Sequence, residues 1–373
     1  MSELFDFLKY CLGAKSDVNK MIAGIDWQML YSFASKQALL GLCFDGIERL
    51  GKEYPEELKL NPIGRELLMT WMGKAQQIRR QNVKVNGVAA KLYSKFREDG
   101  LRCCILKGQG NALMYPNPYS RTSGDIDVWV NASREEITEY AKCHFNLEDD
   151  IRFHHLETTM DGVPVELHFF PCTMNNPLYH ARLQKWFKRN ADLQCSNVVC
   201  LPDGIGEIAI PTTAFNVVYQ LTHLYHHFFD EGIGMRQIID YYYVVISDYL
   251  LVINDESLGI RDTLQKELKH LGLWKFAGAV MYVLHKALGL PEEKMIAPMD
   301  EKRGKLLLTE ILNGGNFGKH FTKYGHFTQQ GMAKKYFLKI WRNMHFVRYF
   351  PAEALSEPIF RTWHFFWRLK HRR

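Results

Sequence analysis

Apolar residues recur at helical spacing through the first quarter of the chain. Spacings of three and four separate a run of apolar side chains there: Leu30, Phe33, Ala34, Ala38 and Leu42. The stretch from Trp71 to Phe96 is long, mixed in charge and free of proline, and it is followed by the turn signal Asp99-Gly100. This pattern predicts a helical region over residues 1–98.

The period changes from helical to strand-like after residue 100. Leu101 to Leu106 is a short β-type run, and Asp125 to Val130 (DIDVWV) alternates acidic with apolar positions. Two more strands are expected near 151–159 and 163–169, on either side of the hairpin dipeptide Asp161-Gly162. Between these strands, Ser133 and Glu136 form a capping box that opens a helix ending near Phe145.

Helical spacing returns at Pro211 and continues almost to the end of the chain. We therefore predict an α+β fold in which a small core of mixed strands and helices, residues 99–210, lies between helical regions at 1–98 and 211–373. With 373 residues, of which 47% are hydrophobic, the chain is large enough for two or three packed modules.

The eight cysteines include no C-x-x-C pair, which indicates free thiols in a reducing compartment. The start of the chain lacks a secretory pattern, and its apolar stretches fall short of the ~20 residues that span a bilayer. We expect a cytoplasmic protein without a transmembrane segment.

Positive charge is concentrated at the C-terminus. Residues 334–373 carry ten lysines and arginines against two glutamates, a local net charge of +8, whereas the whole chain carries +6. Aromatic residues alternate with these cations, so the segment could bind nucleic acid, lie on an anionic membrane or pack on the body. We predict packing, with Arg361 and Arg368 off the packed face and these aromatic side chains turned inward: Trp341, Phe346, Trp363, Phe366 and Trp367.

The most informative segment runs from Lys107 to Val130. Residues two apart in a strand face the same way, so Asp125 and Asp127 present two carboxylates on one face while Ile126 and Val128 enter the core. Adjacent carboxylates repel unless a cation lies between them, and Mg²⁺ is the usual cation because it prefers oxygen ligands. Glu166, on the strand after the hairpin, could supply a third acid, and His168 shares its face.

This arrangement resembles the polymerase-β-like nucleotidyltransferases, in which a strand, a glycine turn and a helix precede a D-h-D strand and a later acid. More narrowly, it is similar to a family of uncharacterised bacterial nucleotidyltransferases. The residues that carry the resemblance lie between about 100 and 240: ILKG at 105–108, Tyr115 and Pro118, Arg121, DIDVWV, ELH at 166–168, His223, His226 and GIGMRQIID at 232–240. One departure is Gln109, where glycine or serine usually follows the turn glycine.

The resemblance implies roles for individual residues. Asp125, Asp127 and Glu166 would be catalytic and would hold two Mg²⁺ ions, or Mn²⁺ in their place. Contacts to the nucleotide phosphates would come from Lys107, Gly108, Gln109, Arg121 and Arg236. Residues that contact these side chains and hold them in position would be His168, His223 and Asp240. The implied reaction moves a nucleoside monophosphate from an NTP to an acceptor that could be a small molecule, a protein or a nucleic acid.

Several alternatives stay open from the sequence. The fold could bind or sense nucleotides without turnover. His154, His155 and His168, near Glu166, could indicate a His/carboxylate metallohydrolase, although no H-E-x-x-H motif or zinc-like cysteine spacing accompanies them. Arg236 and Asp240 could form a local i, i+4 ion pair, and His223, His226 and His227 could be core residues on one helix face. Glu166 itself could be an exposed strand residue.

Overall fold

The structure is a computed structural model that describes residues 2–14, 17–147, 152–247, 255–321 and 332–371. Most of the described residues are helical. The helices are α1 (Ser2–Cys11), α2 (Val18–Gly24), α3 (Trp27–Lys36), α4 (Leu40–Glu53), α5 (Pro55–Leu60), α6 (Arg65–Glu98), α7 (Gly108–Ala112), α8 (Arg134–His144), α9 (Pro177–Ser196), α10 (Thr213–Asp230), α11 (Met235–Ile246), α12 (Asp255–His270), α13 (Trp274–Leu288), α14 (Glu301–Gly314), α15 (Met332–Met344) and α16 (Pro351–His371).

A four-stranded mixed sheet lies in the middle of the chain. Its strands are β1 (Cys103–Leu106), β2 (Ile126–Val130), β3 (His155–Met160) and β4 (Val163–His168), in the spatial order β1-β2-β4-β3. β2 and β4 are parallel, and the outer pairs are antiparallel. A separate hairpin joins β5 (Val198–Cys200) to β6 (Glu207–Ala209). The predicted α+β class is confirmed.

Local signals in the core region are confirmed as well. Ser133 accepts a hydrogen bond from the Glu136 amide, and the Glu136 carboxylate accepts one from the Ser133 amide, which closes the predicted capping box of α8. Asp161 and Gly162 both have positive φ, 50° and 73°, as a two-residue turn between antiparallel strands requires. The hairpin therefore fixes the register of β3 against β4.

The sheet separates two apolar cores. One face, with Ile105, Ile126 and Val128, packs with the second half of α6 and with α8. The opposite face contributes Leu106 and Trp129 to a larger core that includes side chains from N-terminal helices such as α1 and α4 and from C-terminal helices such as α13 and α16. The division at residues 98 and 210 stays a prediction, because the N-terminal and C-terminal helices share this larger core.

The prediction for the basic C-terminus is wrong in part. Phe346 is buried and Trp367 half-buried, but Trp341, Trp363 and Phe366 are 46%, 44% and 63% exposed. The packed face of α16 carries charged residues instead: Glu353 and Glu357 are buried, and Arg361 is largely shielded.

Partners inside the fold make this burial of charge possible. Arg361 pairs with Asp230 at 2.7 Å and with Glu357, so its predicted position off the packed face is also wrong. The spacing of aromatic residues along α16 could not predict its packed face, because charged residues on that face are paired with residues of other helices.

All eight cysteines are free thiols, as the spacing predicted, and six of them are buried. Among the helices in the described part of the chain, none combines the length and the apolar character that crossing a bilayer requires.

Candidate active site

The candidate site lies on one face of the sheet, where the parallel strands β2 and β4 run side by side. Asp127 is the register partner of Glu166, and Trp129 is the partner of His168. Directly paired residues on neighbouring strands point to the same face about 5 Å apart, so the two carboxylates are adjacent. The predicted pairing of the D-h-D strand with the later acid is thus present in the backbone.

Asp127 is the most deeply buried acid of the group, at 3% exposure. Its Oδ1 lies 3.0 Å from Lys107 Nζ and 3.0 Å from His168 Nε2. Burial alone would raise the pKa of this carboxyl group, but the Lys107 charge and the His168 contact outweigh burial and lower it. Asp127 is therefore ionised and already neutralised by two cationic groups.

Lys107 reaches the carboxylates from the end of β1. It has φ 50°, and Gly108 follows with φ 37°, a pair of positive values that turns the chain sharply into α7. Its Nζ is also 2.8 Å from His223 Nε2. Burial would lower the pKa of Lys107, yet the charges of Asp127, Asp125 and Glu166 raise it, so the ammonium stays protonated.

Asp125 directly precedes β2 and lies at the exposed mouth of the site. The charge of Asp127, together with partial shielding of its own carboxyl group, raises the pKa of Asp125 to about 6. Among the described residues, the acid and histidine groups whose ligand atoms all lie within 4.8 Å of one another do not include Asp125. The charge of Asp127 thus acts on Asp125, but the Asp125 side chain lies outside these close groups.

One such group joins Asp127, Glu166 and His168. His168 Nε2 is 3.1 Å from Glu166 Oε2 as well as 3.0 Å from Asp127. Burial would lower the pKa of His168, but the two carboxylates raise it to about 9. Burial would likewise raise the pKa of Glu166, and the His168 contact lowers it instead. Glu166 is half-buried and committed to the cluster, which argues against the exposed-strand alternative.

Arg121, predicted to contact phosphate, is engaged elsewhere. It is 6% exposed and makes a two-bond ion pair with Asp240, Nε to Oδ1 at 2.8 Å and Nη2 to Oδ2 at 2.7 Å. Tyr115 donates a third hydrogen bond to the same carboxylate at 2.7 Å. This cluster ties the segment before β2 to α11, so Arg121 and Asp240 position the strand.

Arg236 is a different case. Its contacts do not include the i, i+4 ion pair with Asp240 that the sequence left open. Instead, Nη1 donates to the Thr122 carbonyl at 3.0 Å, and the guanidinium lies 5.5 Å from the Phe317 ring centre. Its Nε is buried without a hydrogen-bond partner in the described structure. Burial, then the nearby Arg121 charge, lowers its pKa, while Asp125 acts in the opposite direction. Arg236 keeps donor capacity beside the mouth of the site.

Gln109 turns its side chain away from the carboxylates. It is 3% exposed and donates to the side chain of Asn86 on α6. Any phosphate contact at this position would have to come from the backbone amide. Gly108 itself has open space around it, since an added Cβ would meet only the Asp125 carbonyl at 3.8 Å.

Histidines surround the acids to an extent that the sequence did not reveal. Within the described part of the chain, a continuous series of ring contacts, with centroids 4.2 to 6.3 Å apart, links six histidines. The members are His154, His155, His168, His226, His227 and His223. Glu157 was also missed, although it is the register partner of Glu166 on β3. The sequence signal that could have found Glu157 is its spacing of two from His155, which matches the spacing of Glu166 and His168 on the next strand.

The fold and this geometry define a class of protein: a small mixed sheet in a helical body, with paired acids on adjacent parallel strands. The family described as an uncharacterised nucleotidyltransferase matches residues 23–289, and the chain belongs to that family. This confirms the resemblance drawn from the motifs.

Other comparisons add little. Among solved structures, the chain is similar to an antigenic nucleotidyltransferase-like protein from Paracoccidioides brasiliensis, with 15% identity. The match covers 50% of this chain and 90% of that one, with a TM-score of 0.29, which is too low to add to the assignment. No curated protein matches.

Proposed function

We propose that the chain is a Mg²⁺-dependent enzyme that transfers a nucleoside monophosphate from an NTP to an acceptor. The observation that supports this most directly is the pairing of Asp127 with Glu166 across parallel strands, with Lys107 Nζ 3.0 Å from Asp127. The family supplies the reaction class.

The donor set fits a divalent cation. Two carboxylates and an imidazole lie within 4.8 Å of one another, and the position already attracts an ammonium and an imidazolium. Asp127 and Glu166 would hold the ion, and Asp125 would join them from the mouth. When bound, Mg²⁺ or Mn²⁺, as one ion or two, supplies charge stabilisation to the attacking and leaving oxygens of an in-line displacement at the α-phosphorus.

The chain's own residues have separate tasks. Lys107 would turn from the carboxylates to a triphosphate oxygen, because a lysine side chain is a flexible stem that ends in a point charge. Arg236 can donate through its Nε, which has no partner in the described structure. Glu166 and Asp127 keep His168 protonated and fixed between them. His223 supports the Lys107 ammonium at 2.8 Å.

One observation favours a second candidate function. Lys107 and His168 bring two positive charges to Asp127, so a catalytically silent nucleotide-binding or regulatory protein could keep this geometry. Such a protein would bind an NTP but would release no pyrophosphate from it, whichever acceptor is supplied.

Titration of the full-length chain with each NTP, with and without Mg²⁺, tests the proposal. We expect Mg²⁺-dependent binding that Asp127→Asn weakens at least tenfold, because the variant removes a ligand charge. Asp161→Asn is the matched control, since Asp161 lies at the exposed hairpin and pairs with Lys91. NTP affinity that is independent of Mg²⁺ and unchanged in a folded Asp127→Asn protein would contradict the proposal.

A further inference from the structure

We infer that His154, His155 and His168 form a second metal site, for a transition ion of the Zn²⁺ class, on the β3 side of the acidic centre. These histidines come together because His155 at the start of β3 is the register partner of His168 at the end of β4. The Phe169 amide donates to the His154 carbonyl at 2.9 Å, which holds His154 beside them.

The three rings form a compact group. Their centroids are 4.3 Å apart for His154 and His155, 5.2 Å for His155 and His168, and 5.5 Å for His154 and His168. One ligand nitrogen from each lies within 4.8 Å of the others. Nitrogens on a tetrahedral zinc ion are about 3.4 Å apart, since each bond is about 2.0–2.1 Å. Small side-chain rotations therefore suffice to bind an ion.

In each of the two buried histidines, the Nε2 atom contacts at least one carboxylate. His155 Nε2 is 3.2 Å from Glu157 Oε1, and His168 Nε2 contacts Asp127 and Glu166. In both rings Nδ1 is buried without a hydrogen-bond partner in the described structure, although His155 Nδ1 is 3.2 Å from Glu166 Oε2. A carboxylate on one ring nitrogen is the usual companion of a metal on the other. His168, which Asp127 and Glu166 hold protonated, would release its Nδ1 proton when an ion binds there.

The ligand chemistry separates this site from the magnesium site. Imidazole nitrogen suits Zn²⁺, Ni²⁺, Co²⁺ and Cu²⁺, whereas Mg²⁺ prefers oxygen. His154 is half-buried, so the group is open to solvent on one side, and the His226 ring is 6.3 Å from His154 on that flank. His168 links the two sites. With an ion bound at its Nδ1, its Nε2–H would still donate to Asp127 and Glu166. The site thus stands whether or not the chain transfers nucleotides.

Zn²⁺ alone, titrated into the chelator-treated full-length protein, is the first test. We expect one ion per chain, retained in millimolar Mg²⁺, and an X-ray absorption spectrum of the zinc-loaded wild-type protein with three imidazole ligands. This measurement needs no variant. A shell of oxygen ligands, or the absence of stoichiometric binding, would overturn the inference.

Variants then locate the ion. His154→Gln should weaken Zn²⁺ binding at least tenfold. His180→Gln is the control, because His180 packs near Phe153, beside His154, but lies outside the cluster. Asp125→Asn should leave Zn²⁺ affinity unchanged while weakening Mg²⁺-dependent NTP binding, so either site can fail without the other. Full Zn²⁺ affinity in His154→Gln would place the ion elsewhere and reject the three-histidine site.

Discussion

At the scale of single residues, the two aspartates of the D-h-D strand have different surroundings. Asp127 is buried and contacts Lys107 and His168, whereas Asp125 lies at the exposed mouth, and the charge of Asp127 raises its pKa to about 6. The D-h-D pattern therefore contains one carboxylate that is balanced by nearby cations, Asp127, and one that is repelled by its neighbour's charge, Asp125. The pair is electrostatically unequal before any metal ion binds.

Asp125→Asn should stabilise the metal-free protein at neutral pH. A carboxyl group with a folded pKa of about 6, above its ordinary 3.8, leaves stability intact below pH 3.8 and reduces it as pH rises towards 6. The gain in melting temperature in EDTA should be large at pH 7.5 and clearly smaller at pH 4.5. Asp127→Asn should lower the melting temperature at pH 7.5, because it leaves the buried cations Lys107 and His168 without their shared carboxylate. A higher melting temperature for this variant would contradict this account.

Glu166→Gln separates nucleotide binding from chemistry. If Glu166 serves the ion that activates the acceptor, the variant keeps most NTP affinity and loses turnover by several orders of magnitude. Binding and single-turnover measurements on the same preparation check this. An equal loss of affinity and turnover would assign Glu166 to the nucleotide ion or to structure.

Much of the site could be predicted from residue spacing, and the rest depended on long-range contacts. Period two placed Asp125 and Asp127 on one face, and the later strand offered Glu166, which the register brings beside Asp127. The pairing of Arg121 with Asp240, 119 residues apart, could not be read from the sequence, because the resemblance gave Arg121 to the phosphates and Asp240 a separate supporting role. The same holds for Lys107 and His223, which are 116 residues apart.

At the scale of elements, signals within a few residues were reliable and signals between helices were not. The capping box of α8 and the turn at Asp161-Gly162 are local, so the sequence determines them. The packed face of α16 depends on partners in other helices: Glu353 accepts the Asn175 and Asn176 amides, and Arg361 contacts Asp230. Burial of these charges cannot be inferred from polarity alone.

Glu353 provides a prediction at this scale because it fastens α16 to the start of α9. It is 1% exposed, and burial raises its pKa to about 7 despite the two amide hydrogen bonds. The stability contributed by its protonated form is complete below pH 4.5 and is lost as pH rises through 7, at a cost of about 3 kcal/mol. Glu353→Gln should remove this part of the pH dependence.

Unfolding of both proteins at pH 5 and pH 8 measures the effect. The difference in unfolding free energy, variant minus wild type, should be larger at pH 8 than at pH 5. A difference that is the same at both pH values would show that Glu353 is ionised in the fold throughout this range.

At the scale of the whole molecule, the C-terminal helix packs against the segment that leads into β3. Phe153 contacts Trp363 and Trp367, with ring centres 5.0 and 5.7 Å away, and Phe153 directly precedes His154. Arg134 lies over the Phe169 ring at 4.0 Å and extends the same cluster. The last helix therefore holds the edge of the candidate site, even though much of its aromatic surface faces solvent.

Deletion of residues 359–373 should therefore destabilise the fold. The truncation removes the rings that cover Phe153 and leaves Asp230 with only Lys339 of its two cationic partners. We expect a melting temperature several degrees lower, at ~2–4 °C per kcal/mol for a large domain, and weaker Zn²⁺ binding. Phe366→Ser is the control, because Phe366 is 63% exposed and its loss should leave the melting temperature unchanged. A truncated chain with an unchanged melting temperature and a lost, steeply salt-dependent affinity for RNA or DNA would instead identify the segment as a nucleic-acid arm and favour a nucleic-acid acceptor.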